Sequence, residues 1–277
     1  MALILKTPPA RQGVLWVRQA LQLFMRQPLA LSFLFTSFLA SVLMLSIVPW
    51  VGAILSVAAL PLLGLGFMVA SAEALGGQRV RLGQLVWALK GDVDKRSRLL
   101  KLCALYAISA FVAMLLADAL DGGTMTAFEV SLDDSGNSDP ATIALQHEDV
   151  LISLMLRFAL VNLVGIPFWH APALVHWGGQ GVAQSLFSST LAFWRCRAAL
   201  TVYFVTWGAL MAGFGVLLSL LASLEGLRSV VSVLLLPGVL MLSSVFYTSL
   251  IFPFNDSFGR PSSGTGTGDP AISKIGS

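Results

Sequence analysis

Charged residues are scarce in this chain. Only 11% of its 277 residues are Asp, Glu, Lys or Arg, whereas 56% are hydrophobic. A soluble globular domain carries about 25% charged residues, and a water-soluble fold of this size could not cover its surface with so few. The sequence therefore predicts a protein whose main solvent is lipid.

Other absences exclude several classes of protein. Two cysteines, Cys103 and Cys196, are too few for a disulfide framework. There is no P-loop, no H-E-x-x-H zinc motif, no G-x-S-x-G motif and no cysteine pair at zinc-finger spacing. We therefore expect no catalytic residues, no metal site and no cofactor, and we predict that the protein is not an enzyme. The net charge of +3 gives no reason to expect a nucleic-acid partner, because Lys and Arg in membrane proteins usually mark cytoplasmic loops.

Long apolar runs are the main positive feature. A helix needs about 20 apolar residues to cross a hydrocarbon core of about 30 Å. Six runs have this length, at residues 28–48, 51–72, 99–119, 156–177, 200–222 and 229–252. They predict an all-α fold, a polytopic transmembrane helical bundle that forms a single transmembrane domain over residues 1–258.

The basic residues fall in alternate gaps between these runs. If there are six spans, all but two of the 17 Lys and Arg residues lie on one side, the exceptions being Arg157 and Arg228. The positive-inside rule then places both termini in the cytoplasm. The gap at 118–150 has no Lys or Arg between its ends and is rich in Asp and Glu, which predicts a solvated outer loop. Cation binding by this loop is left open.

Basic amphipathic segments precede several spans. In residues 11–27, arginines recur at helical spacing opposite apolar side chains, and 181–195 has a related pattern; a weaker version lies at 82–98. We expect helices in the membrane interface, with the lipid bilayer and anionic lipid headgroups as partners. A threefold repeat of interfacial helix and hairpin is left open. Residues 259–277, rich in Gly, Ser and Thr, predict a disordered cytoplasmic tail.

Arg157 is the first candidate for a functional residue, because an ionisable group inside a membrane span is costly. A fourth span that begins near Val150 would place Arg157 about two turns deep, in need of Asp118, Asp121 or Asp149 as a partner. A span that begins at Leu156 would let Arg157 reach the outer interface, and this is the favoured interpretation.

His170 and Glu73 are further candidates. Pro167 and Pro172 flank His170, so a kink could open a polar cavity there; a hydrogen bond from His170 to a neighbouring helix is the favoured alternative. Glu73 lies at the end of the second span. It could be a carboxylate that couples an ion to transport, but the favoured interpretation is an ion pair with Arg79 or Arg81 at the inner interface.

Small residues also follow one face of the fifth span. The residues are Gly208, Ala209, Ala212 and Gly213. Such a face permits close helix packing, which we expect within the chain rather than between chains.

Three stretches resemble an uncharacterised family of bacterial six-helix inner-membrane proteins. They are Phe-Met-Arg-Gln-Pro-Leu at 24–29, Trp-His-Ala-Pro-Ala-Leu-Val at 169–175 and Phe-Trp-Arg at 193–195. The second contains the aromatic–x–Ala-Pro-Ala-Leu-Val motif of that family. The resemblance implies a bacterial cytoplasmic membrane and a six-helix layout. The family has no assigned activity, so no functional residue is carried over.

Two functions follow as hypotheses. The first is a non-catalytic inner-membrane protein that organises a membrane complex or supports the envelope. The alternative is a small transporter or exporter with a polar path near Arg157 and His170, joined by Glu73 or Asp118. The sequence specifies no substrate, no protein partner and no oligomeric state.

Overall fold

The computed structural model describes residues 4–48, 51–87, 92–128, 147–224 and 227–259. Most of the predicted acidic loop and the predicted tail beyond residue 259 lie outside the described residues. The helices are α1 (Gln12–Arg26), α2 (Pro28–Ser46), α3 (Val51–Leu75), α4 (Gln84–Trp87), α5 (Val93–Leu120), α6 (Glu148–Phe168), α7 (Ala171–Gly178), α8 (Val182–Arg195), α9 (Arg197–Ser223), α10 (Arg228–Ser249) and α11 (Ile251–Ser257).

Six stretches of helix are long and apolar enough to cross a membrane. They are Pro28–Ser46, Val51–Leu75, Val93–Leu120, Glu148–Gly178, Arg197–Ser223 and Ser229–Ser257. The predicted all-α, six-span bundle is therefore confirmed. Several helices extend beyond the apolar runs because polar turns continue them. Helix α5, for example, begins six residues before Leu99, where the Asp92 side chain accepts a hydrogen bond from the Asp94 amide.

Aromatic rings join the first, second and sixth spans. Phe35 and Phe38 of α2, Phe67 of α3 and Tyr247 of α10 pack with ring centroids 5.2–6.1 Å apart. Contacts of this kind add packing energy beyond the burial of area. In a membrane, where burial of apolar surface contributes little, such packing holds the spans together.

Helix α1 docks on the bundle rather than resting only on lipid. It packs against α9, α10 and α11, and its Trp16 is completely buried. Gly13 permits this close approach, because an added Cβ would lie 2.3 Å from the carbonyl oxygen of Ala199. Val14 and Met25 on the flank of α1 remain exposed. The amphipathic helix was predicted correctly, but protein covers most of its apolar face.

The two ends of the described chain meet beside α1. Strand β1 (Ile4–Leu5) pairs antiparallel with β2 (Phe258–Gly259), and the Lys6 amide donates to the Ser257 carbonyl oxygen over 2.8 Å. We call this end of the bundle, with β1, β2, α1 and α8, the terminal end. The opposite end, where α5 ends and α6 begins, is the loop end.

The small residues of the fifth span do not pack within the described chain. Gly208, Ala209, Ala212 and Gly213 are exposed, and an added Cβ at either glycine would meet no atom within 4 Å. The expectation of packing within the chain is therefore wrong. This face of α9 therefore points away from the rest of the described chain.

Candidate functional site

A cluster of charges at the loop end joins α5 to α6. One guanidinium nitrogen of Arg157, Nη2, lies 2.6 Å from Asp118 Oδ1 and 2.7 Å from Asp121 Oδ2. Ser153, one turn before Arg157, donates its hydroxyl to Asp121 Oδ2 over 2.6 Å. Because α6 begins at Glu148, Arg157 lies more than two turns into the helix. The favoured interpretation, an arginine that reaches the interface alone, is therefore wrong, and the alternative of an ion pair holds.

The cluster keeps Asp121 ionised. Its side chain is 3% exposed, and its backbone N–H caps α5 by donating to the Ala117 carbonyl oxygen. The hydrogen bond from Ser153, followed by the bond from Arg157, lowers the pKa of Asp121 from 3.8 to about 2, because both donors favour the carboxylate. With two carboxylates around one guanidinium, the charge of Arg157 is neutralised and the cluster keeps one net negative charge. This arrangement suits a structural clamp between two spans.

His170 marks a break between α6 and α7. The hydroxyl of Ser189 in α8 accepts a hydrogen bond from the His170 amide at 3.0 Å and donates one to the Ile166 carbonyl oxygen at 3.3 Å. In an unbroken helix that amide would bond directly to that carbonyl. The serine is thus inserted into the backbone ladder and satisfies both groups at the bend, which Pro167 and Pro172 favour.

The His170 ring lies in an apolar enclosure. It is 2% exposed and packs against the rings of Phe254 and Phe258, with centroids 5.8 and 5.7 Å away. Its Nδ1 has no hydrogen-bond partner among the described residues. The favoured hydrogen bond to a neighbouring helix is therefore made by the His170 backbone rather than by its ring.

Glu73 binds a loop at the terminal end. The Gln84 side chain donates Nε2 to Glu73 Oε2 and accepts at Oε1 from the Arg81 amide. Among the described residues Glu73 forms no ion pair with Arg79 or Arg81, so the expected partner was wrong. Gln84 holds the loop after the second span against the end of that span.

The four candidate residues lie in three separate parts of the structure. Arg157 and Asp118 share the ion-pair cluster, whereas His170 is 13 residues from Arg157 along the fourth span, about 20 Å at helical rise. Glu73 is bound by Gln84 instead. The convergence of Arg157, His170 and Glu73 on one path, which the alternative transporter hypothesis requires, is not observed.

Another polar contact was missed by the sequence analysis. Asp256 in α11 accepts hydrogen bonds from Gln12 Nε2 at 2.8 Å and from Trp16 Nε1 at 2.7 Å. These residues hold the first helix against the last. No local pattern could have linked them, because they lie at opposite ends of the chain.

A cleft of about 180 Å³ lies between α6 and α10. Its wall includes α3 and Tyr106 of α5, and apolar and aromatic side chains dominate its lining. The lining residues are Leu60, Pro61, Gly64, Leu65, Met68, Tyr106, Gly165, Phe168, Trp169, Pro172, Phe246, Tyr247 and Leu250. None of the four candidate residues lines this cleft.

Comparison with known proteins gives one informative similarity. A Burkholderia thailandensis protein named "Probable inner membrane protein" is 30% identical over 252 residues, which cover 90% of this chain and 92% of the relative. No protein-family model matches the chain, and no solved structure matches it. The shared length includes all or nearly all of the six apolar spans, in agreement with the membrane setting. The chain therefore belongs to the family of bacterial inner-membrane proteins that includes this Burkholderia relative.

Proposed function

We propose that the protein has a non-catalytic role in the inner membrane, where it organises a membrane complex or supports the envelope. The proposal rests on the contacts that the polar side chains of the spans make. Arg157 and Asp118 neutralise each other at the loop end, and His170 is enclosed by phenylalanines. These groups are used to join helices, and such use suits a scaffold better than a reaction centre.

We further propose that both termini lie in the cytoplasm. Exposed arginines line the terminal end, on α1 and around the end of α8. They are Arg11, Arg18, Arg26, Arg195 and Arg197. The positive-inside rule places such a surface in the cytoplasm, where anionic lipid headgroups attract basic side chains by about 1 kcal/mol each.

A small transporter or exporter is the second candidate. The helix break at His170 supports it, because broken helices line substrate sites in transporters. Two observations argue against a transporter. Arg157 and His170 are about 20 Å apart along the helix, and the lining of the cleft is apolar. The non-catalytic role therefore remains the proposal.

A deletion strain tests the two candidates. We expect deletion of the gene to raise envelope permeability to an impermeant dye, and His170→Phe to restore the barrier, since a phenyl ring fits among Phe254 and Phe258. A transporter whose mechanism requires protonation of the His170 ring would lose function in this variant. The control is Phe187→Leu, a change at an exposed side chain of α8. Unchanged permeability on deletion, or a well-expressed His170→Phe protein that fails to complement, would contradict the proposal.

A further inference from the structure

Helix α8 packs on the bundle with serines on its inner face and an aromatic ring on its outer face. Ser185 and Ser189 are completely buried where α8 contacts α6 and α7. On the outer face, the Trp194 side chain is 68% exposed. A helix on the surface of a water-soluble protein has the opposite arrangement, with its apolar residues inward. The outer face of α8 at Trp194 therefore suits lipid better than water.

The connection that α8 makes determines the depth of Trp194 in the membrane. Helix α8 joins the fourth span, which ends at Gly178, to the fifth span, which begins at Arg197, so α8 lies near one membrane surface. Trp194 precedes the fifth span by less than one helical turn. Tryptophan is enriched at this level of a membrane, where its ring lies among the lipid headgroups. Trp194 is therefore positioned where a headgroup meets its acyl chains.

Three cationic side chains lie around this junction of α8 and α9. The Arg197 guanidinium carbon, Cζ, lies 5.1 Å from the centre of the Trp194 ring, a cation–π contact. Arg195 follows Trp194 in the chain. Lys6 reaches the junction from the N-terminal segment, because its carbonyl oxygen accepts a hydrogen bond from Cys196 Sγ at 3.5 Å. The side chains of Lys6, Arg195 and Arg197 are all exposed.

The positive charges of the junction are not compensated within the described chain. Both ion pairs of the described residues belong to Arg157 at the loop end. The carboxylate of Asp256, which is also at the terminal end, accepts hydrogen bonds from Gln12 and Trp16 instead. A positive surface at the membrane boundary attracts anionic lipids. The junction thus complements a negatively charged headgroup.

We propose that the junction of α8 and α9 binds an anionic glycerophospholipid of the leaflet at the terminal end. Arg195, Arg197 and Lys6 receive the phosphate, and the Trp194 ring packs on the glycerol backbone and the first acyl carbons. A water-soluble phosphate would complement the cations but would leave the Trp194 ring in water. The proposal rests on the attraction of headgroups to the terminal end that is proposed above, but it requires neither the cytoplasmic orientation nor the non-catalytic role.

Brominated lipids test the proposal, because bromine quenches tryptophan fluorescence on contact. The full-length protein is reconstituted in vesicles that contain equal amounts of phosphatidylglycerol and phosphatidylcholine, with only one of the two brominated in its acyl chains. The difference between wild type and Trp194→Phe isolates the Trp194 signal. We expect brominated phosphatidylglycerol to quench this signal more strongly than brominated phosphatidylcholine. Arg195→Gln should lower this preference about fivefold, the contribution of one basic side chain at an anionic surface, and the Arg195→Gln/Arg197→Gln double variant should lower it further.

Arg26→Gln is the matched control. It also removes an exposed arginine of the terminal end, but Arg26 lies about 20 Å along α1 from Gly13, the residue that approaches Ala199 at the start of α9. This variant should keep the wild-type preference at Trp194. Equal quenching by the two brominated lipids in wild type, quenching of Trp194 by neither lipid, or an equal loss of preference in Arg26→Gln and Arg195→Gln would overturn the proposal. The non-catalytic role is tested separately by the deletion strain, so either proposal can fail without the other.

Discussion

Asp121 shows how one residue can secure a helical hairpin. It lies at the end of α5, accepts a hydrogen bond from Ser153 and pairs with Arg157, so two interactions from α6 meet at one carboxylate. A carboxylate bound in this way is more acidic in the folded state than in the unfolded chain. Its contribution to stability is therefore linked to pH.

We predict that the benefit of Asp121 disappears in acid. Since its pKa is lowered from 3.8 to about 2, the stabilisation is complete above pH 4 and is lost as the pH falls through 2. Asp121→Asn should therefore lower the Tm at pH 7, and its Tm should approach that of wild type between pH 4 and pH 2. Thermal unfolding of both proteins in detergent across this range measures the difference. Ser41→Ala, at an exposed serine bonded only within its own helix, is the control. A Tm difference independent of pH would contradict the assignment.

The break between α6 and α7 is the main irregularity at the level of elements. A serine of a third helix bridges a backbone amide and a backbone carbonyl that the bend has separated. Helix α8 is thereby fixed to the fourth span by a bond that continues that span's own backbone ladder. The bend and the position of α8 depend on each other.

Removal of that serine hydroxyl should destabilise the fold. We predict that Ser189→Ala lowers the free energy of unfolding by about 2 kcal/mol, because the buried His170 amide loses its acceptor. Thr190→Ala is the matched control, since the Thr190 hydroxyl is exposed and bonds only to Leu186 of its own helix; its effect should be within about 0.5 kcal/mol. Reversible unfolding in mixed micelles measures both. Equal effects of the two changes would mean that Ser189 does not support the bend.

Local patterns predicted some of these features and not others. The six spans follow from composition, and the partners of Arg157 could be proposed because α5 and α6 are consecutive and their ends are adjacent. The role of Ser189 could not be predicted. The sequence pattern of an amphipathic helix is the same whether a hydroxyl on its polar face forms hydrogen bonds with water or with the backbone of a bent helix. Likewise, the apolar face of α1 fits lipid or protein equally well, so its docking depends on tertiary packing.

At the scale of the whole molecule, the terminal and loop ends differ in charge. The terminal end carries exposed arginines, whereas at the loop end the single positive charge of Arg157 is exceeded by the two negative charges of Asp118 and Asp121. By the positive-inside rule, this asymmetry predicts that the terminal end faces the cytoplasm.

Reporter fusions test that direction. We predict that fusions after Trp50, Ser135 and Glu225 report a periplasmic location, whereas those after Lys90, Gln184 and the tail report the cytoplasm, because the exposed arginines favour the cytoplasmic side. Paired reporters, one active on each side, provide the internal control. A cytoplasmic signal from the Ser135 fusion would reverse the orientation of the third and fourth spans.

The docking of α1 also has a consequence for biosynthesis. Trp16 leaves the ribosome early, yet its partner Asp256 follows 240 residues later. At 5–20 residues per second, this amounts to a delay of about 12–50 seconds, and both α9 (Arg197–Ser223) and α11 (Ile251–Ser257) are synthesised only in its later part. Until those helices are made, we expect the bilayer surface to cover the apolar side of α1. The same apolar face of α1 would thus contact the membrane surface during synthesis and the folded bundle afterwards.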